Sequence, residues 1–136
     1  MITAVDSNVL IDVLSPDPDH GPLSRDALKR CLAEGELVVC DVVWAETAAM
    51  FSSQKEAARS LDGLGISFSA VDAVAAGLAG AAWRLYRGRR GARVRLVTDF
   101  LVGAHAQEQA DRLLTRDRGF YRSHFTRLTV LDPSRP

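Results

Sequence analysis

Of four acidic residues that could do chemistry, three follow short apolar runs and the fourth interrupts an apolar helix. Asp6 follows the apolar run Ile2–Val5, and Asp99 and Asp117 follow two further runs of the same kind. Glu46 is the one acid in an otherwise apolar, small-residue helical segment. In open α/β sheets, functional sites form at the carboxyl ends of the strands. The pattern therefore predicts that these four carboxylates converge at one edge of a sheet.

Converging carboxylates repel one another and raise each other's pKa unless a cation neutralises them. Mg²⁺ binds proteins through one or two carboxylates and keeps several waters, and Mn²⁺ accepts the same ligands. No histidine and cysteine set in the sequence has the spacing of a zinc site. A divalent ion beside arginines suits phosphodiester hydrolysis, because the ion polarises a phosphoryl oxygen and activates water.

Two of the four acids also have a simpler interpretation when each is taken alone. Asp6 could serve only as the cap of a helix that begins near Ser7, and Glu46 could be a solvent-facing helix residue. A buried, unpaired carboxylate at Glu46 would need a cation, a hydrogen-bond partner or water. His20 is interpreted as a surface residue, and His105 is as consistent with a packed core histidine as with a catalytic one.

The charged residues are unevenly distributed along the chain. Residues 1–83 carry five Lys or Arg against twelve Asp or Glu, whereas residues 84–127 carry eleven Arg against four acids. Such asymmetry indicates an anionic partner for the basic half. The alternative is that the arginines only solvate helices.

Length and composition restrict the class of protein. With 136 residues and 47% hydrophobic content, the chain is expected to form a single domain over residues 1–136. The apolar runs are too short to cross a bilayer, and residues 1–20 lack the pattern of a signal peptide, so we expect a cytoplasmic protein. Cys31 and Cys40 are accordingly expected to be reduced.

Strand-like runs alternate with helical segments along the whole chain. This alternation predicts an α/β fold, a three-layer α/β/α sandwich whose central, mostly parallel sheet has four to five strands. The strand-like runs are Ile2–Val5, Leu37–Cys40, Ile66–Val71, Val94–Val97, Arg112–Thr115 and Leu128–Leu131, the last at a sheet edge.

The segments that carry the four acids resemble the signature of PIN-domain ribonucleases. Within that family, the length and the order of the segments are similar to VapC-type toxins of prokaryotic type II toxin–antitoxin pairs. The resemblance covers nearly the whole chain, and four motifs in this order are fairly specific. They are Val5–Leu10, Trp44–Glu46, Leu96–Ala106 and Leu113–Phe120.

The resemblance implies Mg²⁺- or Mn²⁺-dependent endonucleolytic cleavage of RNA. It assigns Asp6 and Asp99 as the principal metal ligands and Asp117 as a direct or indirect ligand. Glu46 would orient metal-bound water. The residues that would form hydrogen bonds around the acids are Asn8 and Thr115.

The resemblance also implies partners. It predicts a homodimer and a cognate antitoxin that fills the acidic cleft. An RNA backbone would lie against the basic half of the chain. The arginines that we assign to RNA binding are Arg89, Arg90, Arg116 and Arg118.

Two other functions are alternatives to the ribonuclease. The first is a catalytically silent PIN-like module that binds RNA or a protein, although such a module would not need intact acids. The second is a phosphotransfer or phosphatase domain. That chemistry needs a lysine beside a nucleophilic aspartate, whereas Lys29 and Lys55 both lie in helical segments away from strand ends.

Overall fold

Five parallel strands form the centre of the molecule, in the spatial order β3-β2-β1-β4-β5. The computed structural model describes residues 1–89 and 95–135. The predicted α/β/α fold with a five-stranded parallel sheet is confirmed. The strands are β1 (Ile2–Val5), β2 (Glu36–Val39), β3 (Ile66–Phe68), β4 (Arg112–Leu114) and β5 (Val130–Leu131).

Helices connect these strands, as parallel pairing requires. A single residue separates the carboxyl end of β1 from the helix that follows it, and the same is true of β2. The helices in the described ranges are α1 (Ser7–Leu14), α2 (Gly21–Glu34), α3 (Asp41–Ala48), α4 (Gln54–Gly63), α5 (Ala73–Arg87), α6 (Val97–Gln109) and α7 (Arg118–His124). No helix in the part of the chain that the structure describes is long and apolar enough to cross a membrane.

The central strands are apolar on both faces because helices cover both sides of the sheet. Val5, Leu37, Val39 and Leu113 are each at most 1% exposed. This continuous burial explains why these strands consist of apolar runs rather than alternating polar and apolar residues.

The strand order reverses between β1 and β4. Successive strands β1, β2 and β3 extend to one side, and β4 and β5 extend to the other. The backbone nitrogen of Asp6 donates a hydrogen bond to the carbonyl of Leu114 at 3.0 Å, so the carboxyl ends of both strands lie side by side. In α/β sheets the crevice at such a reversal is the usual position of a ligand site.

The predicted strand over Val94–Val97 is wrong. Val94 lies outside the described residues, Leu96 is the N-cap of α6, and Val97 is its first residue. Asp99 therefore lies in the first turn of a helix and not just past a strand. Its Oδ2 accepts a hydrogen bond from the Leu96 backbone nitrogen at 3.2 Å, and a carboxylate at this position stabilises a helix N-terminus.

An aromatic cluster joins helices α5, α6 and α7. The ring of Phe100 lies 5.4 Å from Trp83 and from Tyr86 on α5, and 5.2 Å from Phe120 on α7. Phe100 is fully buried and adjacent in sequence to Asp99. The cluster therefore fixes the first turn of α6 relative to α7.

A glycine lets the chain after α7 approach α6 closely. A Cβ atom at Gly103 would overlap the ring of Phe125, which is itself buried. Two residues further along α6, His105 is 1% exposed and its Nε2 lies 3.0 Å from the Ser69 hydroxyl. Burial lowers the pKa of His105, so the packed-core interpretation of this residue fits the structure. Cys31 and Cys40 are both free thiols.

Candidate active site

Asp6 lies at the centre of the site, at the junction of β1 and α1. It is the N-cap of α1, and its Oδ1 accepts a hydrogen bond from the Ser7 backbone nitrogen at 2.8 Å. The residue is only 7% exposed. Its position follows from the sequence, because an acid between a strand and a helix is well suited to cap that helix.

Thr115 and Asn8 hold the other oxygen of Asp6. The Thr115 hydroxyl donates to Asp6 Oδ2 at 2.8 Å, and Asn8 Nδ2 lies 3.4 Å from the same oxygen. Thr115 Oγ1 also accepts a hydrogen bond from the Asp117 backbone nitrogen at 3.0 Å. One threonine hydroxyl thus links the ends of β1 and β4 and sets the position of the loop that carries Asp117.

Burial raises the pKa of the Asp6 carboxyl, and the nearby charge of Asp117 adds to this effect. Hydrogen bonds from Thr115, the Ser7 backbone and the Tyr121 hydroxyl oppose it. Burial and the negative charges of Asp6 and Asp99 raise the pKa of Tyr121 well above its usual value. Tyr121 therefore remains protonated and donates its hydrogen bond to Asp6.

Glu46 faces the same site from α3. Its Oε1 accepts a hydrogen bond from the Ser7 hydroxyl at 3.3 Å. The residue as a whole is exposed, yet its carboxylate is partly desolvated, and this desolvation together with the charges of Asp6 and Asp99 raises the pKa of Glu46. The solvent-facing interpretation is therefore only half correct, because Glu46 is exposed but points towards the other acids.

Asp117 is engaged by an arginine of the same chain. Arg95 Nη1 donates to Asp117 Oδ2 at 2.6 Å, and Arg95 Nη2 donates to Oδ1 at 3.4 Å. The Arg95 guanidinium also lies 4.3 Å from the centre of the Phe120 ring, in a cation–π contact. Asp117 is thus neutralised, whereas Asp6, Glu46 and Asp99 have no arginine contact among the described residues.

The four predicted acids lie close enough for their charges to affect one another, but they do not form a closed cage. No three of them, all in the described ranges, bring carboxylate oxygens within 4.8 Å of one another. Burial is the main cause of the raised pKa values of Asp6 and Glu46, and repulsion from the neighbouring acids adds to it. Oxygen donors and uncompensated negative charge suit a hard divalent cation, which would relieve this repulsion. The donor set therefore fits Mg²⁺ or Mn²⁺.

Arg116, one of the arginines assigned to RNA, forms an ion pair with the buried Asp12. Its Nε lies 2.7 Å from Asp12 Oδ2 and its Nη2 lies 3.0 Å from Asp12 Oδ1. Asp12 is 3% exposed and also accepts a hydrogen bond from the Ser24 hydroxyl at 2.8 Å. The Arg116 side chain is 33% exposed. Because Asp12 lies on α1 and binds Ser24 on α2, the ion pair connects the β4–α7 loop to both helices.

The other three arginines differ in their settings. Arg118 Nε lies 4.0 Å from Asp132 Oδ2, in a loose ion pair. Arg89 is exposed just after the end of α5. Arg90 lies outside the described residues.

A second group of potential metal ligands lies beside α1. Ligand atoms of Asp12, Asp17 and His20 are within 4.8 Å of one another. However, Arg116 and Ser24 already occupy the Asp12 oxygens. Asp17 Oδ1 accepts hydrogen bonds from two backbone nitrogens, each at 2.8 Å. This group is better described as a structural hydrogen-bond network than as a cation site.

Three residues of the site were not predicted as such from the sequence. Ser7 bridges to Glu46, Tyr121 contacts Asp6, and Arg95 binds Asp117. Ser7 could have been found, because it is adjacent to Asp6 at the helix start. The contacts of Tyr121 and Arg95 depend on how α7 and α6 pack, which no local pattern indicates.

Solved structures with this fold include several toxin–antitoxin proteins. A chain of VapBC2 from Rickettsia felis, bound to a promoter DNA fragment, matches with a TM-score of 0.73 and 17% identity over 97% of this chain and 98% of its own. FitAcB from Neisseria gonorrhoeae matches with a TM-score of 0.68 and 19% identity over 98% and 99%. At these identities the likeness concerns the fold.

A third match is VapC20 from Mycobacterium tuberculosis, described as a sarcin-ricin loop cleaving toxin. Its TM-score is 0.56 at 17% identity, over 87% of this chain and 93% of its own. No curated protein matches the chain by sequence. The family model of the PIN domain matches residues 3–125, a span that contains all four acids of the site. The chain therefore belongs to the PIN domain family.

Proposed function

We propose that the chain is an endoribonuclease that uses Mg²⁺ or Mn²⁺ to hydrolyse RNA phosphodiester bonds. The observation that carries this proposal is the set of acids around the buried Asp6, at the reversal of strand order between β1 and β4. We assign Asp6 and Asp99 to hold the ion, with Asp117 joining them directly or through water. The bound ion would polarise the phosphoryl oxygen and lower the pKa of an attacking water.

Each neighbouring residue has a definable task in this scheme. Thr115 and Asn8 restrain Asp6 Oδ2, so one carboxylate oxygen keeps a fixed direction. Tyr121 donates a hydrogen bond that stabilises the charged form of Asp6. Glu46 has a raised pKa and a partly exposed carboxylate, which suit a group that accepts a proton from water and orients that water.

The basic half of the chain supports RNA as the substrate. Arg95 lies against Asp117, Arg89 follows α5 in the sequence, and Arg118 begins α7 directly after Asp117. Arginines form paired hydrogen bonds with phosphate oxygens, and these contacts position a nucleic acid without reading its sequence. We retain Arg89, Arg90, Arg116 and Arg118 as proposed RNA contacts, with Arg116 restricted by its pairing to Asp12.

We further propose that this ribonuclease is the toxin of a toxin–antitoxin pair, acts in the cytoplasm as a homodimer and is blocked by a cognate antitoxin. Support comes from the fold, which matches chains from toxin–antitoxin complexes over nearly their full length. The uncompensated acids offer a cationic antitoxin side chain an obvious counter-charge. Co-expression with the product of the neighbouring reading frame, followed by co-purification, tests this part separately.

The ribonuclease itself is tested by comparing two acid-to-amide variants of one helix. Asp99→Asn should abolish cleavage of total RNA in Mg²⁺, whereas Glu108→Gln on the exposed side of α6 should cleave as the wild type does. Substitution of an outer partner at metal sites costs about 10- to 100-fold, so loss of a ligand should exceed that. Cleavage by Asp99→Asn at the wild-type rate would overturn the assignment.

If the chain is instead a catalytically silent binding module, RNA binding and cleavage assays should give a different outcome. In that case the wild type would bind RNA equally with and without EDTA and would release no cleavage products. The two variants would then also behave alike.

A further inference from the structure

We infer that a cavity beside the acids receives one unstacked base of the RNA next to the scissile phosphate. This inference rests on the proposed ribonuclease function and names a subsite for its substrate. The cavity has a volume of about 310 Å³, within the usual range of small-molecule pockets. It lies between α5 and α7, and its lining includes Tyr86, Asp117, Gly119, Ser123 and His124.

The cavity adjoins the candidate active site at Asp117. Asp117 lines the cavity and is also one of the four acids. Arg95 forms the wall between the two, since its guanidinium contacts Asp117 at 2.6 Å and lies 4.3 Å from the Phe120 ring centre. A nucleotide whose base enters the cavity would therefore bring its phosphate to a cation at the edge of the acids.

The lining suits a base better than a phosphate or an aliphatic group. The rings of Tyr86 and His124 are half-buried and meet edge to face at 5.6 Å. Burial and the charges of Arg89 and Arg95 lower the pKa of His124, so its ring is neutral at pH 7. Unstacked bases of single-stranded RNA are bound by stacking on such rings.

Hydrogen-bonding groups are present at the same place. The Ser123 hydroxyl donates to the Gly119 carbonyl at 2.8 Å, so its oxygen lone pairs remain available to an N–H group of a base. A buried apolar pocket would have no such acceptor. The combination of rings, an acceptor and a cation at the rim matches a nucleotide.

Gly119 provides a variant that fills the cavity without disturbing the aromatic cluster. A Cβ atom there would meet nothing within 4 Å. Gly119→Leu should therefore fold normally and block the cavity. Gly63→Leu is the matched control, because a Cβ at Gly63 at the end of α4 also meets nothing within 4 Å.

The experiment measures binding of RNA hexamers by fluorescence anisotropy in EDTA, so that no RNA is cleaved. In one series, each hexamer carries a single abasic ribose at a different position. For the wild type and Gly63→Leu, removal of one particular base should weaken binding about tenfold, in the range of one lost stacking contact. Gly119→Leu should bind the intact hexamer about tenfold more weakly and should be insensitive to that abasic position.

A second variant, His124→Gln, removes the ring without adding charge and should show the same loss. The inference is overturned if no single base matters to the wild type, or if Gly119→Leu keeps the wild-type profile. Failure of the proposed nuclease is distinguishable, because it would leave RNA intact in Mg²⁺ while this binding profile persisted. If only the subsite is wrong, Gly119→Leu will cleave RNA with wild-type KM.

Discussion

Arg95 Nη1 lies 2.6 Å from Asp117 Oδ2, so one acid of the candidate metal site is already bound by a cation of its own chain. The hydrogen bonds that Arg95 donates to Asp117 raise the pKa of Arg95, which stays charged at every accessible pH. The side chains of the pair are 18% and 36% exposed, so solvent screens their attraction. A divalent ion that binds Asp117, as proposed above, would therefore compete with Arg95 for the same carboxylate.

We expect Arg95→Gln to bind Mn²⁺ about two- to fivefold more tightly than the wild type, as measured by isothermal titration calorimetry. The size follows from the modest strength of partly exposed ion pairs, up to about 1 kcal/mol. Arg122→Gln, an exposed arginine on α7, is the control for loss of one positive charge. Equal or weaker Mn²⁺ affinity in Arg95→Gln would contradict the competition.

The Asp12–Arg116 pair should respond unequally to loss of its two members. Arg116→Met leaves the buried Asp12 without its cation and should lower the free energy of unfolding by about 3 kcal/mol. Asp12→Asn leaves an arginine that can reach solvent and should cost about 1 to 2 kcal/mol. Urea denaturation of both variants tests this order, and a larger loss in Asp12→Asn would refute the structural role given to Arg116.

Gly103→Ala should destabilise the fold by about 1 to 3 kcal/mol, because the added methyl group overlaps the buried Phe125 ring. Gly77→Ala is the control, since a Cβ on that exposed part of α5 meets nothing within 4 Å. That substitution should stabilise the chain by about 0.5 to 1 kcal/mol through helix propensity. Thermal denaturation measures both, and equal shifts would show that α6 and Phe125 are not in close contact.

His105 should make the fold sensitive to mild acid. Burial lowers the pKa of His105 in the folded state, and the charges of Asp41 and Asp72 oppose this only in part. The unfolded chain therefore binds a proton first, and stability falls as the pH drops below about 6.5, by at most about 1.4 kcal/mol per pH unit. The fall ceases below the folded-state pKa.

His105→Gln should remove this part of the pH dependence while keeping a polar contact with Ser69. Chemical denaturation of the two proteins between pH 7 and pH 5 measures the difference in slope. Parallel pH profiles for wild type and His105→Gln would contradict the assigned burial.

The parts of the fold that sequence could predict are those set by local pattern. Apolar runs indicated the five strands, and acids directly after β1 and β4 indicated the edge where the site forms. A strand was wrongly predicted at Val94–Val97 because a run rich in Val and Leu is typical of a strand. In the structure, Leu96 and Asp99 together begin a helix. The element that carries Asp99 was therefore predicted wrongly, and its role as a metal ligand stays a prediction.

Contacts between distant segments could not be predicted from the same patterns. Arg95 and Arg116 both lie in the basic half of the sequence, yet each binds an acid that lies more than 20 residues away along the chain. Tyr121 was not among the predicted site residues, but its hydroxyl contacts the carboxylate of Asp6. Such pairings depend on helix packing, which is determined by the whole chain.

The most direct test of the proposed function is an analysis of RNA ends after incubation with the purified chain. If Asp6 and Asp99 hold an ion that activates water, cleavage should require Mg²⁺ or Mn²⁺ and stop in EDTA. Attack by water should leave a phosphate on one fragment and free hydroxyls on the other. Undiminished cleavage in EDTA, or fragments that end in a cyclic phosphate formed by the neighbouring ribose hydroxyl, would contradict the proposal.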